Sequence, residues 1–133
     1  GRSCGMTISS FNSVSLDPPL ILWSLAVTSP SVEVFRHASH YAVNILASDQ
    51  QAISNRFASR LADRFEGVDT RSGLSGTPLI EGCAAWFECR HEAIYPGGDH
   101  LIFVGRVERF DHSPSLQPLV FHSGAYGRLA PRS

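Results

Sequence analysis

Lysine is absent from this chain: all eleven basic residues are arginine, a bias we attribute to genome composition rather than to function. Basic and acidic residues nearly balance, at eleven against twelve. With a net charge of −1, no general field draws in nucleic acid or an anionic membrane. Cysteine is scarce and odd in number (Cys4, Cys83, Cys89), and the interval between the last two is no zinc spacing. A reduced, intracellular protein is the expectation. No apolar run approaches the ~20 residues of a membrane span, and no signal peptide opens the sequence, so a soluble, cytoplasmic protein is expected. The G-x-S-x-G nucleophile elbow and the G-x-x-x-x-G-K-[ST] phosphate loop are both missing. So is G-x-G-x-x-G, which excludes a nucleotide held in the Rossmann manner. His37 and His40 form H-x-x-H, but no acidic or cysteine partner stands at metal spacing. They are expected to face solvent around a helix end.

What the chain does contain is the composition of one globular domain. Its 133 residues are 43% hydrophobic and 17% charged, enough to bury roughly two thirds of the unfolded surface. Alternation over Met6–Phe11 suggests a first strand, and Asp17-Pro18-Pro19 a stop for a paired strand. Leu20–Val27 and Tyr41–Ala47 read as strands, the former buried on both faces. Val32, Phe35 and Ala38 follow Ser29-Pro30 at helical spacing, with Ser29 as N-cap. Ile53, Phe57, Leu61 and Phe65 predict a second helix, opened by an S-x-x-Q capping box at Ser48–Gln51 and closed by Gly67. Residues 68–77 read as a loop. Cys83–Glu92 and Leu101–Phe110 read as a hairpin around Tyr95–Asp99, with a short final strand at Leu119–Phe121. Short strands with two interposed helices and no βαβ alternation predict a mainly β fold, a small barrel or sheet.

Two features carry chemistry. The helix start at Ser29-Pro30-Ser31 follows a buried strand and offers free N–H groups and a positive dipole end to a phosphate, though taken alone it is better explained by ordinary capping. In Pro96-Gly97-Gly98-Asp99-His100 the glycines allow close backbone approach and His100 stands where a strand leaves a turn. A glycine-rich hairpin with an incidental histidine is the competing reading.

Gly5-Met6-Thr7-Ile8-Ser9-Ser10-Phe11-Asn12-Ser13-Val14-Ser15-Leu16-Asp17-Pro18-Pro19-Leu20 resembles the G-M-T-x-S-S-F-x-S-V-S-x-x-P-P-L signature of short-chain flavin reductases, the small components of two-component monooxygenases. Tyr41–Ala47 (YAVNILA) with Gln50 is similar to that family's F-A-V-N-V-L-A. Gly98-Asp99-His100 and Gly105-Arg106-Val107 match its G-D-H-x4-G-R-V element, and Pro118–Phe121 with Gly124–Tyr126 its closing segment. The motifs run in order over nearly the whole chain. Family members carry a helix and a T-G-V-x-[VI]-[VI]-T strand ahead of G-M-T, so the first barrel strand is expected to be absent from this sequence.

The resemblance implies an FMN-binding split barrel of Greek-key type with peripheral helices, working as a homodimer on FMN or FAD and on NADH or NADPH. It implies that Ser10, Phe11, Asn12, Ser13, Val14 and Ser15 line the isoalloxazine ring, much of it through backbone groups. Ser29 and Ser31 would hold the phosphate, Asn44 and Leu46 would lie against the flavin, and His100 would sit near the nicotinamide. Reduced flavin would pass to a partner monooxygenase. Two alternatives remain on the same fold: a flavin carrier or sensor without nicotinamide turnover, and an enzyme resembling pyridoxamine-phosphate oxidase, whose basic phosphate ligands are not evident.

Overall fold

The computed structural model describes residues 4–61, 63–122 and 125–127. Five strands, β1 (Asn12–Leu16), β2 (Pro19–Ala26), β3 (His40–Ile45), β6 (Ala85–Gly97) and β7 (His100–His112), form one antiparallel sheet in the order β1-β2-β7-β6-β3. Helices α1 (Val32–His37) and α2 (Gln51–Phe57) flank β3 in sequence. A ribbon of β4 (Thr70–Ser72) and β5 (Pro78–Ile80) follows α2, and β8 (Val120–His122) pairs with β9 (Ala125–Gly127). No ladder joins β3 to β1, so the sheet curls without closing. Its curl is visible where Phe11, just ahead of β1, meets Phe87 on β6 with ring centroids 5.1 Å apart.

Period-two patterning builds the core. Along β2, expected to be buried on both faces, only Ile21, Trp23 and Leu25 are buried while their neighbours are not, so one face alone meets the core. Trp23 stacks on Phe103 of β7 at 4.5 Å and meets Phe35 and Tyr41 edge-on at 5.0 and 5.3 Å. Gly105 of the G-R-V element makes room for this cluster: a Cβ there would lie 2.6 Å from the Tyr41 hydroxyl and 3.1 Å from Cys89 Cβ. Gly105→Ala is therefore expected to lower stability by about 1–3 kcal/mol through overpacking. Chemical denaturation checks this, and an unchanged midpoint would mean that the Tyr41 ring shifts freely.

Several elements differ from expectation. The second helix ends at Phe57 and does not reach Gly67. Arg56 bonds the carbonyls of Arg64 and Asp63 at 2.7 and 3.0 Å, and Ser59 Oγ donates to the Arg56 carbonyl at 2.6 Å, so side chains end the ladder. Phe57 and Phe65 still meet, 4.8 Å apart, but they do so across Gly5, whose Cβ position lies 2.9 and 3.0 Å from them. Leu61 is exposed. The cap at Ser48–Gln51 is also different: Gln50 occupies the N-cap, and its Oε1 accepts from Ala47 N at 2.8 Å.

The first strand begins at Asn12, not Met6. Met6 and Ile8 pack on the core without a ladder, while Thr7 Oγ1 donates to the Ser54 carbonyl at 2.6 Å. Asp17-Pro18 forms the turn of a hairpin, with a cis peptide bond, and Pro19 opens β2 opposite Leu16. A strand's first residue can lack a ladder donor, so proline is tolerated there. The predicted loop at 68–77 holds β4 and a 3-10 turn, Leu74–Gly76. His37 is exposed beside Glu33, but His40 opens β3 with Nε2 3.0 Å from Glu108. Gly124 lies outside the described residues.

Candidate functional site

The C-terminal end of β2 gathers Ser29, Ser31 and His100, while Asn12–Ser15 pair along the other half of the strand. In register, Ala26 lies opposite His100, and Val27 N donates to the Asp99 carbonyl at 2.9 Å. The G-D-H turn is thereby fastened to the strand end from which Thr28–Ser31 departs. Ser29 is not the N-cap; Ser31 holds that position, and its N–H donates to Ser29 Oγ at 3.2 Å. Nearby, Ser10 Oγ accepts from Ser24 N at 2.8 Å and donates to the Ser24 carbonyl at 3.3 Å, clamping its segment to β2. Asn12, Ser13, Val14 and Ser15 then run along β1, an edge strand of the sheet whose outer backbone groups no neighbouring strand takes. Phe11 differs from its neighbours: it is half-buried against Phe87 and the core.

Asn44 and Leu46 lie elsewhere, on the wall of a cavity of about 690 Å³. Residues 40–46 all line it, so the cavity runs along the free edge of β3, with Cys4–Ser9 opposite. The segment from Cys4 to Ser10 connects the two groups: Cys4 Sγ lies 3.6 Å from Ser31 Oγ, and Ser9 faces the cavity. The Asn44 amide is engaged by β5, accepting from Ile80 N at 2.9 Å and donating to the Pro78 carbonyl at 3.4 Å. One Nδ2 hydrogen and one Oδ1 lone pair of Asn44 are left for a ligand beside its backbone.

Charge at the site is modest. His100 Nδ1 lies 2.7 Å from Asp99 Oδ1, and this hydrogen bond holds the exposed Asp99 carboxyl below its usual range. With Nδ1 paired, Nε2 is the ring nitrogen left to face a ligand. Burial pushes the Cys83 and Cys89 thiols up to about 12, so neither supplies a thiolate nucleophile near neutral pH. Burial likewise raises the Tyr41 phenol. Among the described residues no group of three metal-ligating side chains is arranged around a common point, and no helix is long and apolar enough to cross a membrane. Hydroxyls, amides and backbone edges remain, a donor set that fits a polar, planar cofactor and its phosphate.

The sequence reading missed Glu88 and Arg109. Glu88 is buried on β6, gripped by Arg109 Nε and Nη2 and bonded by Leu74 N at 2.7 Å. A carboxylate inside the apolar run Trp86–Cys89 was the available signal, since a charge is seldom buried without a partner.

An unclosed antiparallel barrel with a hydroxyl-rich edge strand defines the class of cofactor-binding split barrels. The chain belongs to the flavin reductase like domain family, which it matches over residues 1–130. It is 45% identical over 126 residues to FMN reductase (NADH) SmoA of Agrobacterium fabrum, covering 95% of this chain and 71% of that protein. It is 44% identical over 126 residues to the reductase component of flavin-dependent trigonelline monooxygenase from Acinetobacter baylyi. That match covers 95% of this chain and 40% of the relative, so the chain spans less than half of that longer protein. Among solved structures, the NADH:FAD oxidoreductase SgcE6 of Streptomyces globisporus, in complex with NAD and FAD fragments, superposes with a TM-score of 0.94. It is 37% identical, over 98% of this chain and 81% of that one.

Proposed function

We propose that this domain binds FMN or FAD without a covalent link, reduces it with NADH or NADPH, and supplies the reduced flavin to a partner monooxygenase. The observation that carries the reading is the Val27–Asp99 hydrogen bond, which brings the turn bearing Ser29 and Ser31 beside His100. A phosphate-sized anion and a nicotinamide then have candidate partners at one end of β2, with Ser10 fastened to Ser24 nearby and Asn12–Ser15 leading away along the same strand. The relatives' stated activities support the same reading. The flavin, when bound, takes the hydride from nicotinamide. The chain's own residues hold the ring and phosphate and exclude water; none needs to act as an acid or base. Titration with FMN and FAD, followed by absorbance, tests binding, and heat precipitation of the loaded protein should release all the yellow colour.

The phosphate assignment has its own test. Ser29→Asp places a negative charge beside the proposed phosphate and is expected to weaken FMN binding at least tenfold, because like charges brought together at a partly buried site repel. Riboflavin, without the phosphate, should lose much less. Equal losses would move the phosphate elsewhere.

The domain works as a homodimer in this proposal. Val14 and Leu16 on the edge strand β1 are 52% and 94% exposed, an apolar edge of the kind a second copy covers. Light scattering is expected to give about twice 14.5 kDa. A monomer that still binds flavin would contradict it.

A further inference from the structure

The ribbon from Thr70 to Ile80 is a flap whose tip, Ser75 and Gly76, lines the same cavity as Asn44 and Leu46. Ser75 has φ 55 and ψ 26, the one non-glycine residue with positive φ among those described. The left-handed conformation costs an L-residue on the order of 1 kcal/mol and persists only where its surroundings enforce it. Those surroundings are explicit here. Leu74 N is held by the buried Glu88 carboxylate, which Arg109 also grips. A side chain at residue 73 would run into that carboxylate, so only glycine fits. Gly73 N donates to the Thr77 carbonyl at 2.7 Å and Thr77 N to the Leu74 carbonyl at 3.1 Å, closing the turn on itself. Within this fixed loop, Ser75 is exposed at the cavity wall, and neither its hydroxyl nor its N–H has a protein partner among the described residues. A strained residue with free donors, held over a cavity by a buried carboxylate, has the form of a preorganised ligand contact.

We propose that Ser75 is a flavin-binding residue whose hydroxyl donates to the carbonyl edge of the isoalloxazine ring, and that Glu88 is the residue positioning it. The assignment rests on the flavin reading above and adds to it a contact from the flap. Ser75→Gly isolates the contact, because glycine adopts positive φ without strain and loses only the hydroxyl. Fluorescence titrations of FMN and of riboflavin, alongside melting of the ligand-free protein, provide the readout. Ser75→Gly is expected to weaken both flavins about fivefold and equally, the size of one hydrogen bond, with the melting temperature held or slightly raised. Glu88→Ala, which removes the acceptor of Leu74 N–H, is expected to weaken both flavins in the same proportion, with a lower melting temperature. Glu88→Gln should weaken them less. Unchanged affinities in Ser75→Gly would overturn the contact, and a loss confined to FMN would overturn its assignment to the ring. If the unaltered domain binds neither flavin, the functional reading itself fails, and this contact with it.

Discussion

Glu88→Ala is expected to destabilise the domain by about 2 kcal/mol, chiefly by leaving Leu74 N–H without its acceptor beneath the flap. Glu88→Gln should cost less, since an amide oxygen still accepts from Leu74 and Arg109. Arg109→Ala should be the more harmful change at neutral pH, because it strands a carboxylate whose side chain is only 5% exposed. The pH dependence follows from the direction of the shift. The Arg109 hydrogen bonds hold Glu88 below the usual carboxylate value, and the Leu74 N–H adds to this. A lowered carboxyl contributes stability that is fully present above its unfolded value, about 4.3, and is lost as pH falls through the folded value. The gap in stability between the natural chain and Glu88→Gln should therefore be widest near pH 7 and narrow below about pH 4. Urea denaturation across pH checks this. A gap independent of pH would mean that Glu88 acts through packing alone.

His100→Ala is expected to slow hydride transfer to bound flavin by about 10- to 100-fold, less than the ~10²–10⁴ typical of true acid–base residues. The ring stands at the start of β7 with Nδ1 tied to Asp99, so its loss removes a partner for the nicotinamide without opening the core. Melting temperature and flavin affinity should change little, because the side chain is 48% exposed and Ser10–Ser15 hold their place through β2. Stopped-flow reduction across NADH concentrations reads the effect. An unchanged rate would mean that His100 has no part in nicotinamide binding or hydride transfer.

β3 and the β6–β7 hairpin were legible in the sequence, the latter through the Gly97–His100 turn. β2 was placed but read as buried on both faces, although it alternates around Trp23. β1 was placed too early because its largely exposed residues give no burial pattern. The second helix was overextended because Phe57 and Phe65 share an apolar spacing with a helix while serving to clamp Gly5. The β4–β5 ribbon was invisible to periodicity: Thr70, Arg71 and Ser72 are exposed, and partners distant in sequence hold it. Asn44 and Trp86 supply those partners, and neither bond leaves a local trace. The site was legible as motifs, but not in its division. Nothing local tells that the Asn44 amide is engaged by β5 while Ser29 and His100 share one end of β2.

The most direct test of the account is to load the purified domain with FMN, remove oxygen under argon, and add NADH. The account predicts that the yellow absorbance bleaches at a rate that rises with NADH concentration, and that it returns when air is admitted. A domain that binds flavin and keeps its colour under both NADH and NADPH would contradict it.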